Sequence, residues 1–263
     1  IPTLLCKTII ALEEPLFSTV ALSTYALAMF SKEKVKGIIS GDGSDELFIG
    51  YQYIRTALES KNPIDTYLSQ IGWLKDEFKT SLFNFKLKKL NLIKKSRYAL
   101  RDMLRFEHTY RLPNYHLVRL DKSLMAQSVE GRVPFLTNNV VNYTKQQKLK
   151  NIFSKRPKQL LIDEFKDILP ECIIDRKKRP FTAPYTNWID GVLYSEIAQT
   201  FSIEKYVKFL HIKGEKLKDL LNKKNKDYFD YTAIWGLFIL LKWMELNKKY
   251  INFKNVRINK VFN

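Results

Sequence analysis

The sequence predicts an α/β fold in which a short helix–strand–turn–helix unit precedes a long, mainly helical segment. Two observations support this prediction. The β-branched run Val35–Ile39 ends at a glycine-rich turn, as buried strands often do. After residue 60, apolar residues recur mostly at helical spacing. We therefore predict one domain with an α/β part, residues 1–60, and a mainly helical part, residues 61–263.

The first elements follow each other closely along the chain. Residues 18–31 carry apolar side chains at helical spacing, and Val35–Ile39 predicts a buried parallel strand. A helix is predicted to begin at Ser44, because the acidic residues that follow would lie in its first turn, where the helix dipole favours them. This order is half of an α/β unit.

Three later segments are also assigned. An amphipathic helix is predicted over Lys86–His108 and a core helix over Tyr231–Lys248, which is rich in large apolar residues. The polar stretch Asn222–Asp230 predicts a loop between helices.

Composition narrows the class of protein. No apolar run is long enough to predict a transmembrane helix, and the two cysteines, Cys6 and Cys172, are too far apart to indicate a zinc motif. The chain begins with neither Met nor a signal peptide, so we expect an internal piece of a longer cytoplasmic protein. No membrane partner is predicted.

The net charge of +18 is concentrated in residues 61–160, which carry 21 basic and 7 acidic groups. Such a field can attract nucleic acid. Most of the basic residues are Lys, however, and Lys lacks the planar fork with which Arg binds bases and phosphates. A Lys-rich composition on solvated helices therefore explains the charge better than a nucleic-acid partner.

The segment Ser40–Tyr51, SGDGSDELFIGY, carries the clearest chemistry. Gly41 and Gly43 allow the backbone to approach a ligand closely, and the start of the following helix offers N–H groups to a phosphate or carboxylate. The carboxylates of Asp42, Asp45 and Glu46 would repel a bare polyanion, so Mg²⁺ bridging to phosphates explains them best. The carboxyl end of a parallel strand is also where α/β sheets bind ligands.

Two further segments follow in a recognisable order. Leu112–Leu136 contains the string EGRVPFL, and Lys158 precedes a basic motif at Arg176–Phe181. Together with Ser40–Tyr51 they resemble the C-terminal synthetase domain of the glutamine-dependent asparagine synthetases over about residues 13–190. The fold that the resemblance implies is the C-terminal, mostly helical part of a parallel-sheet ATP-pyrophosphatase domain, similar to the adenine nucleotide alpha hydrolases.

The resemblance implies an ATP-dependent, amide-forming ligase. Such enzymes adenylate the side-chain carboxylate of aspartate and let ammonia from glutamine displace AMP, which gives asparagine, AMP and pyrophosphate. The implied cofactors are ATP and Mg²⁺, and a homodimer is compatible with the family. The family's first phosphate loop and its N-terminal glutaminase domain are missing from this chain, so we expect the chain alone to be inactive.

The resemblance also implies roles for particular residues. Asp42 stands where the family has an acidic residue tied to acyl-adenylate chemistry, and Asp45 would hold Mg²⁺ with pyrophosphate. Lys178 would stabilise charge on the phosphate or on the tetrahedral intermediate. The implied ATP-binding residues are Ser40, Gly41 and Gly43.

Four more residues are candidates for contact with the substrate or for a structural role. Glu130 and Arg132 are predicted to point in different directions, so that they need not pair with each other, and Arg132 is predicted to anchor the chain in the core. Ser18 and Thr19 could touch the acceptor acid or could cap the helix that follows.

Departures from the family pattern leave the substrate open. Ile49 stands where a Gly is usual, and Arg179-Pro180 replaces a Gln- or Met-Gly pair. One alternative is the same adenylation chemistry on another acid, as in related β-lactam-forming, lasso-peptide-cyclising or glycan-amidating proteins. The other is a non-enzymatic, basic module that binds polyanions.

Overall fold

The computed structural model describes residues 1–71, 98–154, 156–176 and 181–251. Within these ranges the chain forms two compact units, which are described in turn below. The first contains residues 1–27 and the C-terminal region from Thr182 onward, and the second contains residues 28–71 and the region up to Phe181. The predicted division at residue 60 stays a prediction.

The first unit is helical and is built around one long helix, Tyr228–Leu246. Asp227 caps its N-terminus, since the Asp227 side chain accepts a hydrogen bond from the Asp230 backbone N–H and the Asp230 side chain accepts one from the Asp227 N–H. Apolar side chains surround the long helix, and Trp235 and Phe238 are almost fully buried. The other helices are Pro2–Leu12, Thr19–Ser31 (which continues into the second unit), Tyr185–Asp190, Tyr194–Phe201, Glu204–Phe209 and Gly214–Asn222.

Two predictions for the first unit are confirmed with shifted bounds. The helix predicted over residues 18–31 spans Thr19–Ser31, and the core helix predicted from Tyr231 begins three residues earlier, at Tyr228. The predicted loop Asn222–Asp230 is shorter than expected, because the preceding helix includes Asn222 and the Asp227 cap starts the next helix early.

The second unit contains a two-stranded parallel sheet. Strand β1, Gly37–Ile39, pairs with β2, Glu130–Arg132, in the register Ile38 opposite Gly131. The prediction of a parallel strand is therefore confirmed. The prediction that it is buried is wrong, since Ile39 is 76% exposed. Parallel strands are buried when further strands and helices cover them, and among the described residues this sheet has two strands.

Short helices of the second unit build a core that contains no residue of the sheet. Ile49, Tyr67 and Met103 are fully buried in this core. The helix predicted at Ser44 is present but spans only Ser44–Leu47. The other helices are Gln52–Leu58, Pro63–Ile71, Ala99–Phe106, the wide π-type turns Glu107–Leu117, Val118–Met125, the 3₁₀ turn Pro134–Leu136, Asn138–Gln146, Leu149–Ile152, Gln159–Phe165 and Glu171–Ile174.

The amphipathic helix predicted over Lys86–His108 lies partly outside the described residues. From Ala99 to Phe106 the chain is helical, and π-type turns follow from Glu107. No helix of the described ranges combines the length and the apolar character that a bilayer crossing requires.

Candidate functional site

The acidic loop, Ser40–Asp45, connects the end of β1 to the helix Ser44–Leu47. It begins on the sheet, where the Ser40 N–H donates to the Arg132 carbonyl at 2.8 Å. The Ser40 hydroxyl donates to a carboxylate oxygen of Asp42, and the Asp42 N–H donates back to the Ser40 oxygen at 3.3 Å. The Ser44 hydroxyl closes the turn on the Gly41 carbonyl at 2.9 Å. These contacts confirm the predicted glycine-rich turn between the strand and the helix that begins at Ser44.

The two glycines of the loop have different surroundings. Gly43 has a φ of +92°, and a Cβ atom there would lie 2.4 Å from Leu136 Cδ2. In this structure Gly43 therefore makes room for a leucine side chain, whereas the sequence had suggested room for a ligand. Gly41 faces open space, since a Cβ atom there would meet no atom of the described residues within 4 Å. Of the two, Gly41 is the position at which a ligand can approach the backbone.

Arg119 is the partner of Asp42. Its guanidinium Nη2 lies 2.7 Å from Asp42 Oδ1, and the two side chains are only 10% and 17% exposed. Because Ser40 binds the other carboxylate oxygen, both oxygens of Asp42 are engaged. Sequence reasoning missed Arg119, which lies 77 residues from Asp42 along the chain.

Lys158 is the ion-pair partner of Asp45. Its ammonium group lies 3.0 Å from Asp45 Oδ1 and donates to the Ser44 hydroxyl at 2.7 Å. The Lys158 N–H also donates to the Phe48 carbonyl at 3.2 Å, which fixes the backbone of this lysine beside the loop. Lys158 belongs to a motif that resembles the family's, but the motif alone does not show that Lys158 lies beside Asp45.

Gly50 lies directly against this ion pair. A Cβ atom at Gly50 would be 1.7 Å from Asp45 Oδ1 and 2.5 Å from Lys158 Cε. The Gly50 N–H also donates to the Asp45 carbonyl at 2.8 Å. A glycine at position 50 is therefore a condition for the Asp45–Lys158 contact.

The structure accounts for Ile49, which departs from the family pattern at a position where Gly is usual. Its φ of 48° lies in the left-handed region, where glycine is favoured and a β-branched residue is strained. The Ile49 side chain is fully buried in the core of the second unit. Burial of an isoleucine side chain stabilises by about 1.5–3 kcal/mol, which offsets the backbone strain.

Behind the loop, Glu46 enters a buried polar network. The Tyr51 hydroxyl donates to Glu46 Oε1 and lies 3.4 Å from His116 Nε2. A ring nitrogen of His108 lies 3.0 Å from the Glu46 carbonyl oxygen. Burial raises the pKa of the Glu46 carboxyl. Burial, together with the charges of nearby arginines, lowers the pKa of His116 to about 3.

Glu107 forms the second half of this network. Its Oε1 atom accepts hydrogen bonds from Tyr53, Tyr67 and Arg111 at 2.9, 2.6 and 2.8 Å. Ligand atoms of Glu46, Glu107 and His116 lie within 4.8 Å of one another. These groups are already bonded to tyrosine hydroxyls and to Arg111, so we interpret the cluster as a structural network rather than a metal centre.

His116 gives a pH-dependent prediction. Its pKa is lower in the folded protein than the usual value of about 6.5, so below that pH the unfolded chain binds a proton that the native protein does not. The free energy of unfolding should therefore fall as the pH decreases from about 6.5 towards 3. Urea unfolding of the wild type and of His116→Gln at several pH values checks this. The difference between these two pH profiles gives the contribution of His116 alone. It excludes the contribution of Glu46, whose raised pKa changes the free energy of unfolding with pH in the opposite direction. Parallel pH profiles would contradict the prediction.

The expectation for Glu130 and Arg132 is wrong. Arg132 Nη2 lies 3.1 Å from Glu130 Oε2, so the two side chains do pair. Residues two apart in a strand point to the same face, which brings them together. Their side chains are 61% and 63% exposed, so Arg132 does not anchor the chain in the core.

The remaining candidates are not part of the acidic loop. Ser18 is buried, with 6% exposure, and Thr19 is the first residue of the helix Thr19–Ser31. Ser18 and Thr19 belong to the first unit. Their contact with an acceptor acid stays a prediction. Lys178 lies outside the described residues.

Comparison with known proteins supports the resemblance. The model of the asparagine synthase family matches residues 2–245. Similar curated proteins include asparagine synthetase [glutamine-hydrolyzing] 1 of Bacillus subtilis, which is 24% identical over 91% of this chain and 45% of its own length. Asparagine synthetase [glutamine-hydrolyzing] 2 of Oryza sativa is 30% identical over 69% of this chain and 28% of its own length.

A probable asparagine synthetase of Acanthamoeba polyphaga mimivirus is 26% identical over 80% of this chain and 31% of its own length. The chain thus spans less than half the length of these relatives. The family model, by contrast, covers nearly the whole chain. On this evidence the chain belongs to the asparagine synthase family.

Proposed function

We propose that this chain is the synthetase part of an ATP-dependent ligase that makes asparagine. The carboxylate oxygen of aspartate attacks the α-phosphorus of ATP, and pyrophosphate leaves. Ammonia, supplied from glutamine, then attacks the acyl carbon, and AMP leaves with the bonding electron pair. The observation that best supports this proposal is the acidic loop, in which Asp42 and Asp45 each have a basic partner from a distant segment.

The loop and its partner Lys158 offer a backbone position that a ligand can approach and a positive charge for its phosphates. Gly41 leaves the backbone open to a ligand, while the Ser40 hydroxyl lies beside it and orients the Asp42 carboxylate. Lys158 brings a positive charge to the start of the helix Ser44–Leu47, where a pyrophosphate group would be stabilised. We infer that Lys158 binds this group and that Lys178 stabilises charge that develops during the reaction.

The donor set at Asp45 suits Mg²⁺. Mg²⁺ in nucleotide sites is commonly bound through one or two carboxylates together with substrate phosphates and water. Asp45 supplies one carboxylate, 24% exposed, next to the place proposed for the phosphates. When bound, Mg²⁺ would neutralise phosphate charge. Lys158, which now neutralises Asp45, would then be available to the phosphates.

This role of Asp45 makes a direct prediction. Asp45→Asn should slow pyrophosphate release and raise the Mg²⁺ concentration needed for half-maximal rate, because an amide oxygen carries no charge to attract the ion. The measurement is pyrophosphate release against Mg²⁺ concentration, with aspartate and ATP saturating. The exposed Asp167→Asn provides the control. An unchanged Mg²⁺ dependence in Asp45→Asn would remove Asp45 from the metal site.

The acceptor acid is tested separately. The pair Arg179-Pro180, where the family has a Gln- or Met-Gly pair, favours a second candidate, namely the same adenylation chemistry on another acid. The protein, expressed with every domain that its gene encodes, is assayed for pyrophosphate release with aspartate and with a panel of other acids. Asparagine formation from aspartate supports the first proposal, whereas release that depends on another acid supports the second. The absence of pyrophosphate release with every acid would contradict both.

A further inference from the structure

The contact between Arg119 and Asp42 is a largely buried ion pair. Most ion pairs between an arginine and a carboxylate at a protein surface are solvated and contribute little. Here the two side chains are 10% and 17% exposed, and the separation of 2.7 Å is that of a charge-assisted hydrogen bond. The remaining carboxylate oxygen of Asp42 accepts from Ser40. The carboxylate is therefore held at both ends, by groups that come from the loop itself and from the helix Val118–Met125.

The two contacts that Arg119 and Ser40 make with the Asp42 carboxylate, here called the clamp, have two physical consequences. It fixes the direction of the Asp42 carboxylate, because a guanidinium and a hydroxyl bind different oxygens of the same group. It also places a positive charge next to Asp42, which reduces the repulsion between this carboxylate and an approaching triphosphate. Arg119 does not lie in the loop and is not among the residues that the sequence assigned to the site.

We propose that Arg119 is a positioning residue, which acts on the reaction by holding the Asp42 carboxylate in one orientation. The inference rests on the proposed function for its kinetic consequence, but the clamp itself can be tested without turnover. A misplacement of a reacting or orienting group by about 1 Å can lower a rate on the order of 100-fold. Loss of the clamp should therefore affect the rate of the chemical step more than nucleotide binding.

The variants are chosen to separate orientation from charge. Arg119→Met removes both the hydrogen bond and the charge, whereas Arg119→Lys keeps the charge and loses the planar fork. Lys242→Met is the control, because Lys242 also forms a largely buried ion pair, 3.0 Å from Glu196, with exposures of 13% and 20%, and a further one, 3.0 Å from Glu245. Lys242 belongs to the first unit, so its loss reports the cost of breaking such a pair elsewhere.

The first experiment is hydrogen–deuterium exchange over the peptide that contains residues 38–48. In Arg119→Met the amides of the acidic loop should exchange at least about tenfold faster than in the wild type, because about 1.4 kcal/mol of lost local stability gives this factor. Lys242→Met should leave the exchange of this peptide unchanged. The proposed clamp is wrong if the loop amides exchange at the same rate in Arg119→Met as in the wild type. It is also wrong if they exchange as fast in Lys242→Met as in Arg119→Met.

The second experiment is kinetic and uses pyrophosphate release by the protein with all its encoded domains. Arg119→Met should lower kcat on the order of 100-fold, with the KM for ATP changed less than about threefold, and Arg119→Lys should recover part of the loss. In the double variant Asp42→Asn/Arg119→Met, the loss should not exceed that of Asp42→Asn alone, because Arg119 acts through Asp42. Additive losses, or a kcat equal to that of the wild type in Arg119→Met, would overturn the proposal. An inactive wild type together with faster loop exchange in Arg119→Met would contradict the proposed function and leave the clamp established.

Discussion

Gly50→Ala is expected to abolish most of the activity of this protein while leaving its fold recognisable. The added methyl group would lie 1.7 Å from Asp45 Oδ1 and 2.5 Å from Lys158 Cε, so either the ion pair or the backbone must move. Overpacking of this kind costs about 1–3 kcal/mol of stability. Displacement of Asp45 and Lys158 from the proposed phosphate site should in addition slow pyrophosphate release on the order of 100-fold or more.

Gly41→Ala is the natural control for this substitution. Gly41 is in the same segment, but a methyl group there meets no atom within 4 Å in the part of the chain that the structure describes. We expect Gly41→Ala to fold with nearly unchanged stability, so that any loss of activity reports on nucleotide contact alone. Thermal unfolding and pyrophosphate release are measured for both variants. Gly50→Ala with the stability and rate of the wild type would show that the Asp45–Lys158 contact does not exist in solution.

Lys178→Ala is expected to have the largest effect on the chemical step. If Lys178 stabilises charge in the transition state, its loss should lower kcat by ~100- to 1000-fold, with little change in the KM for ATP. Lys177→Ala and Lys166→Ala are the controls, since both are predicted to be solvated. Equal behaviour of the three variants would show that this basic run is a solvated surface and that the placement of the last motif is wrong.

Local patterns in the sequence predicted the elements that depend on local forces. The apolar run before Lys248 predicted the core helix, and the glycine-rich turn predicted the acidic loop after β1. The bounds shifted where a specific cap decides them, as at Asp227, because a capping box adds residues that a hydrophobic pattern does not contain.

The partners of the loop could not be predicted in the same way. Arg119 and Lys158 come from positions 77 and 114 residues away from the groups they bind, and no periodicity reports such distances. The pairing of Glu130 with Arg132 was missed for a different reason. It follows from the period of two in a strand, once β2 is known to be a strand.

The parallel pairing of β1 with β2 has a consequence for biosynthesis. Gly37 pairs with Glu130, so 93 residues must be made before the second strand exists. At translation rates of about 5–20 residues per second, β1 and its exposed Ile39 remain without their partner for roughly 5–20 s. During that time the acidic loop has no sheet to start from, and the unpaired strand edge is open to other chains. Chaperone binding to the nascent chain would therefore matter most in this interval, and slower translation between these strands would lower the yield of folded protein.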